Sequence, residues 1–574
     1  MADFGQILRN VGEFGTFQKL LICALSFPNL ILSFEFACIF FIESDPERHC
    51  NTDWILKADA NLSVQEQLNL TVPLEQDGSY SRCRMFAPVD WDVDAIREHG
   101  LNETSVCDNG WVYYSSLYTA TIVTDFDLVC DRAPLLQVAQ TVMMSGILLG
   151  CLFFGPFAES FGRKRAVQIP LSIILIFTIT SALVPNFLLY LLSQFLMGLG
   201  YGGFRLNGII LATEWIGVSK RSWGACITQL CGAIGQAILA GVIYLVRDWR
   251  LAQLVTAAPL AVIFIYIWFL PESARWLLDR GRTEEAKMLL VKVAAVNKRT
   301  FTDTHLEKIV VKEAEKKIGV SILIRSSVLR KYFFSVIFAW FSLNVAYYCI
   351  SFNVGNFGLD VFLTQLLFGV TEMPAHILCM WLLEALGRRI SFISTLLAGG
   401  CLCILMLVFI QGNPVALTVL ATSGRFIVNS AATVCNVYVQ ELFPTSCRQT
   451  ASGLGSIASR AGGLIAPLIN MLALYHWSIP IVIFSGLTLI SGGLSFLLPE
   501  TQGIELPDST DEAERNRNKK TTKEECESNV HIKSKRITRR MTFHFPPTRS
   551  FDPELLIEMI LPIAWKIQWI KSMI

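Results

Sequence analysis

Long apolar runs alternate with short polar connections along this chain, and the runs are its main structural signal. Twelve of them reach about 20 residues, the length an α-helix needs to cross a bilayer core of roughly 30 Å. They lie at 20–42, 136–157, 166–185, 187–212, 224–246, 251–270, 332–352, 361–385, 391–411, 415–440, 453–474 and 477–498. The first sits behind Arg9 and Lys19 as a signal peptide would. It is long, however, and no small-residue cleavage site follows it, so it is expected to stay as a span. The pattern predicts an all-α membrane protein with twelve transmembrane helices.

The polar connections predict an orientation. Arg163, Lys164 and Arg165 fall in the loop 155–165, Lys220 and Arg221 in the next loop on that side, and Arg388 and Arg389 in a later one. Segment 271–331 carries fourteen Lys and Arg. Basic loops face the cytosol, which places both termini there too. The first loop on the other side, 43–134, holds six basic and seventeen acidic residues, a balance of −11. All three N-x-S/T sequons of the chain, at Asn61, Asn69 and Asn102, lie in that loop, where glycosylation requires an outward face. Cys50, Cys83, Cys107 and Cys130 share it, and an oxidising compartment favours two disulfides among them. Three pairings are possible, and the spacing leaves all three open.

Three motifs recur at nearly one offset. Gly162-Arg163-Lys164 returns as Gly387-Arg388-Arg389, 225 residues on. Glu214 with Arg221 returns as Glu441 with Arg448, 227 on, and Pro271-Glu272-Ser273 as Pro499-Glu500-Thr501, 228 on. Such a repeat predicts duplicated six-span halves of parallel topology. The expected organisation is a cytosolic N-terminus at 1–19, a first half at 20–270, an amphipathic cytosolic linker at 271–331, a second half at 332–498 and a cytosolic tail at 499–574. Arg163, Glu214, Arg221 and Glu272, with Arg388, Glu441, Arg448 and Glu500, form a candidate gating network at the cytosolic mouth. Opposite charges there can latch helices in one state and part in the other.

Composition sharpens the class. Of 574 residues 53% are hydrophobic and 17% charged, against about 25% charged in a soluble domain. Disorder is excluded, and a net charge of +1 gives a nucleic-acid partner no electrostatic support. There is no Walker A motif, no metal-spaced His/Cys cluster and no nucleophile elbow, so no cofactor, metal or enzymatic role is expected. Gly198-x-Gly200-x-Gly202-Gly203 lies inside a span with no strand before it, and close helix packing explains it better than a nucleotide loop.

Specific motifs then carry a resemblance. Pro271-Glu272-Ser273-Ala274-Arg275-Trp276-Leu277, Glu441-Leu442-Phe443-Pro444-Thr445, Leu498-Pro499-Glu500-Thr501 and the large Cys-bearing first loop resemble the solute carrier 22 family of organic-ion transporters, within the major facilitator superfamily. The stretch Asn356-Phe357-Gly358-Leu359-Asp360-Val361 with Thr364-Gln365-Leu366 looks most like its urate- and nicotinate-handling anion branch. The chain also departs from the family pattern. Where members read Asp-Arg-x-Gly-Arg-Lys, it reads Glu159-Ser160-Phe161-Gly162-Arg163-Lys164. Gln194 stands where an Arg is usual, and Ala432 and Asn436 stand where the anion branch often has aromatics.

Ionisable groups inside spans cost about 2.5–3.5 kcal/mol each on insertion scales, so each is a functional candidate. They are Glu35, Arg205, Glu372, His376, Arg425 and Arg460. His aside, the balance is +1, which favours an anion. Arg460 is the first candidate for the substrate carboxylate, since a guanidinium grips it as a fork. The resemblance implies the same role, the alternative being a structural pair with Glu35 or Glu372. His376 lies one turn after Glu372 and can make affinity depend on pH. Arg205 either binds substrate or snorkels to the cytosol and pairs with an acid. Tyr347 and Tyr348 offer a stacking face for a ring, Glu35 a proton site or counter-ion, and Gln236 a further polar contact. Arg425 is expected to be structural.

The reading is a plasma-membrane transporter of small organic anions that works by alternating access and is not ATP-driven. Its partners would be substrate, counter-anion and the lipid bilayer. The resemblance implies exchange against an internal anion. The competitors are an organic cation or carnitine transporter and a non-transporting, receptor-like member of the fold. Lys533, Lys535, Arg536, Arg539 and Arg540 form a basic tail cluster suited to the anionic inner leaflet, and 554–574 turns apolar again.

Overall fold

The computed structural model describes residues 4–12, 14–42, 46–75, 78–114, 119–216, 221–299, 321–356, 359–409, 413–443 and 445–501. Twelve of its helices are long and apolar enough to cross a membrane. They are α1 (Thr16–Ile42), α2 (Pro134–Phe161), α3 (Arg163–Leu183), α4 (Phe187–Trp215), α5 (Arg221–Leu245), α6 (Trp249–Ile267), α7 (Ser327–Phe352), α8 (Val361–Leu386), α9 (Arg388–Phe409), α10 (Pro414–Leu442), α11 (Thr445–Met471) and α12 (Ser478–Ser495). Each contains most of one predicted run.

Polar caps mark where several helices start. Ser326 accepts from the Leu329 N–H, so α7 begins ahead of its apolar stretch. Asn186, Asp248, Asp360 and Asn413 cap α4, α6, α8 and α10 in the same way. Two junctions have no loop at all. Gly162 at φ +107° joins α2 to α3, and Gly387 at φ +84° joins α8 to α9. Both occupy the left-handed region that suits glycine.

Within the first six helices, α4 packs on α2 and α3, α1 on α5, and α6 on α1 and α3. Within the last six, α9 packs on α10 and α12, and α7 on α10, α11 and α12. The strongest packing between the two groups is α2 on α11 and α5 on α8. Counting from α7 as the first helix of a second set turns one of these contacts into the other. That relation is what a tandem duplication produces.

Glycines set the closest approach. A Cβ on Gly202 of α4 would sit 2.2 Å from the Ile147 carbonyl oxygen, and one on Gly150 of α2 2.1 Å from that of Leu199. The run 198–203 therefore serves backbone contact between helices.

Loop 43–134 is not purely helical. Strand β1 (Glu47–Cys50) pairs antiparallel with β4 (Trp111–Tyr114), and β2 (Arg84–Phe86) with β3 (Thr104–Val106). The apolar runs do not predict these strands, because each has only three or four residues. Disulfides join Cys50 to Cys107 and Cys83 to Cys130. The second lies just before α2 and ties the loop to that helix. Asp125 accepts from Trp249 Nε1 at 3.0 Å and Arg250 Nε at 3.1 Å, which fixes the loop to the start of α6. Asn61, Asn69 and Asn102 are exposed, and the Asn69 side-chain oxygen accepts from the Tyr80 hydroxyl.

The linker contains helices Ala274–Asp279, Thr283–Val296 and Ser321–Arg325. Asn297 clamps it to the chain start. Its Nδ2 donates to Val11 O at 3.0 Å and Gln18 Oε1 at 2.9 Å, while the Phe17 N–H donates to its Oδ1 at 2.9 Å. Lys220, the Arg221 side chain, residues 300–320 and the tail from 502, with its basic cluster and apolar end, lie outside the described residues.

Candidate functional site

Between the two groups of six helices lies a cavity of about 440 Å³. That size suits a small organic molecule. Its wall comes from α1, α4 and α5 on one side and α7, α8, α10 and α11 on the other. Seven of the residues singled out from the sequence line it: Arg205, Gln236, Tyr347, Tyr348, Glu372, His376 and Arg460.

Glu35 does not. It is 3% exposed, and its Oε2 accepts from Thr178 of α3 at 3.2 Å. The turn of α1 puts Phe36 and Ala37 on the cavity wall and points Glu35 into the first group of helices. Glu35, offered by the sequence as a proton site or counter-ion, therefore does not line the cavity.

Glu372 is paired, but not with Arg460 or His376. Arg425 of α10 approaches it at 2.8 Å, with the two side chains 3% and 14% exposed. The Tyr347 hydroxyl accepts from Arg425 at 2.6 Å and donates to Glu372 Oε1 at 2.8 Å. The Arg425 guanidinium lies 4.3 Å from the Phe368 ring centre and 4.6 Å from that of Tyr347, a cation–π sandwich. Gln236 of α5 reaches across, accepting from Arg425 at 3.4 Å and donating to Gln365 at 2.8 Å. His376 bonds through Nδ1 to the Thr433 hydroxyl at 3.2 Å.

The remaining guanidinia face the cavity. Arg205 donates to the Tyr201 hydroxyl at 3.3 Å and is otherwise exposed to the cavity space. Arg460 is partly exposed beside Ser456 and Ser459. Among the described residues neither forms an ion pair. With Glu372 neutralised by Arg425, the wall presents two cations and no free carboxylate.

Aromatic rings close the end nearest loop 43–134. Ring centres of Phe36 and Tyr348 are 5.8 Å apart, those of Phe40 and Phe352 5.5 Å, and those of Phe41 and Phe362 5.4 Å. Each pair joins the first group of helices to the second. Toward the basic loops a second cavity adjoins it. Ile210 lines both it and a neighbouring cavity that reaches Arg163, Glu214 and Arg275.

Several wall residues escaped the sequence reading, including Asn29, Ser33, Phe36, Asn344, Asn429 and Thr433. A signal for them existed. Asn29, Ser33 and Phe36, like Asn429, Thr433 and Asn436, recur every three or four residues inside an apolar span, and so share one helix face.

Similarity to known proteins agrees with this architecture. The family model "Sugar (and other) transporter" matches residues 101–511. Solute carrier family 22 member 13 of Homo sapiens is 38% identical over 516 residues, covering 90% of this chain and 94% of the relative. Member 14 of Homo sapiens is 32% identical over 532 residues, covering 90% and 89%. The chain belongs to the solute carrier 22 family. Member 6-B of Xenopus laevis, at 31% identity over 535 residues, covers 89% of this family member and 94% of its own length. The inward-open xylose transporter XylE from E. coli shares the fold, with a TM-score of 0.57 at 16% identity, covering 87% of this chain and 99% of XylE. This solute carrier is thus a multi-pass membrane transporter and not an enzyme.

The charges at the basic-loop face form two matching networks in this family member. Glu272 Oε1 accepts from the N–H groups of Arg163 at 2.9 Å, Lys164 at 3.0 Å and Ser273 at 2.9 Å, capping α3. Arg163 Nε meets Glu214 at 3.2 Å. Glu500 accepts from the N–H groups of Arg388 at 2.9 Å and Arg389 at 3.0 Å, capping α9, while Arg388 Nε meets Glu441 at 2.9 Å. Arg448 Nε donates to Phe443 O at 3.1 Å. Both ion pairs join helices of the same half. In this conformation one links α3 to α4 and the other α9 to α10.

Proposed function

We propose that this solute carrier moves small organic anions across the plasma membrane by alternating access, in exchange for an internal anion. The observation that carries this reading is the charge of the cavity. Arg425 neutralises Glu372, and Arg205 and Arg460 stand in the space without acidic partners. An organic cation would meet two guanidinia there, so the cation and carnitine alternatives are disfavoured.

In this reading the basic loops face the cytosol, the glycosylated loop faces outward, and both termini are cytosolic. The aromatic closure then lies on the outside and the described state opens inward. Arg460 grips a carboxylate. Tyr348 presents a ring edge, packed where a Cβ on Gly463 would meet it at 2.9 Å. Tyr347 offers its face only, because its hydroxyl is held by Arg425 and Glu372. His376 adjusts the local charge. Urate, nicotinate and similar carboxylate-like anions fit such a wall.

The test is uptake into proteoliposomes of labelled urate, nicotinate, a dicarboxylate and a steroid sulfate, with and without an internal anion. Stimulation by internal anion supports exchange. Charge-assisted hydrogen bonds are worth about 1.5–3 kcal/mol, so Arg460→Asp is expected to lower anion uptake about 10- to 100-fold. Uptake of an organic cation with no anion uptake by the unaltered protein would overturn the reading.

A further inference from the structure

Each half contributes one guanidinium to the cavity. Arg205 stands on α4 of the first half and Arg460 on α11 of the second. Arg205 is held in place. Its Nη1 donates to Tyr201 at 3.3 Å, and Tyr201 is 5% exposed with its ring centre 5.8 Å from that of Phe36. Arg205 as a residue is exposed and lines the cavity, although it sits within a membrane span.

The alternative for Arg205 was to snorkel to the basic-loop face and pair with an acid. The acid on its own helix, Glu214, is taken by Arg163 at 3.2 Å. Arg205 instead lines the cavity together with Tyr347 and Tyr348, which belong to α7 on its other side. Its charge is thus directed at the space between the halves. Two uncompensated cations around about 440 Å³ repel each other until something anionic enters. A monoanion leaves one of the two positive charges uncancelled.

Resting on the anion-transport reading above, we propose that Arg205 and Arg460 are the two arms of a single site for dianionic organic acids, with one acidic group held by each half. Phe36, Trp340 and Tyr348 line the same wall and suit a flat apolar body between the two charges. The favoured class is a compact aromatic acid with two anionic groups. The ligand completes ion pairs that the protein itself lacks, and it links the halves through its own skeleton. Arg205 is then the residue that sets dianion over monoanion preference.

Rigid probes test this. Benzoate has one carboxylate, and the 1,2-, 1,3- and 1,4-benzenedicarboxylates hold two at fixed separations. Affinities come from proteoliposome uptake and from ligand-induced thermal stabilisation of the purified full chain. The unaltered protein is expected to bind one dicarboxylate isomer at least ~10-fold more tightly than benzoate, since two arms at fixed positions select one spacing. Arg205→Gln is expected to reduce that ratio ~10-fold or more, and Arg205→Lys to retain most of it. 3-Sulfobenzoate, a dianion with one carboxylate, is expected to follow the dicarboxylates. An equal dicarboxylate-to-benzoate ratio in the unaltered and Arg205→Gln proteins, both folded by thermal melting, would overturn the second arm and leave anion transport standing. Absence of any anion uptake by the unaltered protein would overturn the transport reading and this proposal together.

Discussion

Arg425 and Glu372 meet 2.8 Å apart on neighbouring helices of the second half, Arg425 buried and Glu372 largely buried at the cavity wall. Breaking a buried pair from one side leaves an uncompensated charge and costs about 3–5 kcal/mol. Glu372→Gln alone is expected to lower the melting temperature of the purified protein sharply. Glu372→Gln with Arg425→Gln is expected to recover much of the loss, because no bare charge remains. If the double variant melts as low as the single one, the pair is not what holds α8 to α10.

The two capping carboxylates give a symmetric expectation. Glu272 and Glu500 each accept from the first backbone N–H groups of a helix that follows a glycine junction. Loss of such a cap costs about 0.5–2 kcal/mol. Glu272→Ala and Glu500→Ala are expected to destabilise by similar amounts in thermal melting. A large effect from one and none from the other would mean that the two halves no longer use this contact equally.

The spans and the repeat were legible because each signal is local or periodic. A run of about 20 apolar residues needs no partner to be read. The basic-loop motifs were legible as pairs because their offsets are nearly constant, and Arg163 with Glu214 and Arg388 with Glu441 do pair. The charges inside the spans can be read from the sequence, but their partners cannot. Glu372 pairs with Arg425, 53 residues away on another helix, and no spacing rule predicts which of three arginines faces it. Where Glu35 points was hidden for a related reason. Its burial depends on which side of α1 meets α3, and the nearly uniform apolar character of that run hides its faces. The disulfide pairing and the short strands of loop 43–134 depend equally on contacts between residues far apart in sequence.

Helix packing in the first half supplies a sharper steric test. Gly202→Ala would bring a Cβ to within 2.2 Å of a backbone oxygen of α2, which cannot move aside as a side-chain tip can. Overpacking of this kind costs about 1–3 kcal/mol. The variant is expected to melt lower and reach the cell surface less. Gly453→Ala on α11, where no atom lies within 4 Å of the added Cβ, is the matched control and is expected to show little change.

Orientation has its own readout. Asn61, Asn69 and Asn102 are all exposed on the loop that the two disulfides hold. If that loop faces outward, glycosidase treatment of protein from mammalian cells shortens it on gels. The variant Asn61→Gln, Asn69→Gln, Asn102→Gln is expected to show no such shift. Glycosidase insensitivity of the unaltered protein would contradict the outward placement.

His376 lines the cavity one turn beyond Glu372 and bonds to Thr433 at 3.2 Å. An imidazole is the side chain suited to changing charge near physiological pH. Its protonation would add a third cation beside Arg205 and Arg460, the other charges in the wall, since Glu372 is already engaged by Arg425. The sign follows directly. As pH falls the imidazole gains its proton, the cavity becomes more positive, and anion affinity rises. Carboxylate probes would confuse the measurement by taking up protons themselves, so benzenesulfonate, ionised throughout, is the suitable ligand. On acidification its affinity is expected to rise several-fold in the unaltered protein. In His376→Gln the profile is expected to be flat, and in His376→Lys flat at the higher level. A slope of equal size in His376→Gln would assign the pH dependence to another group.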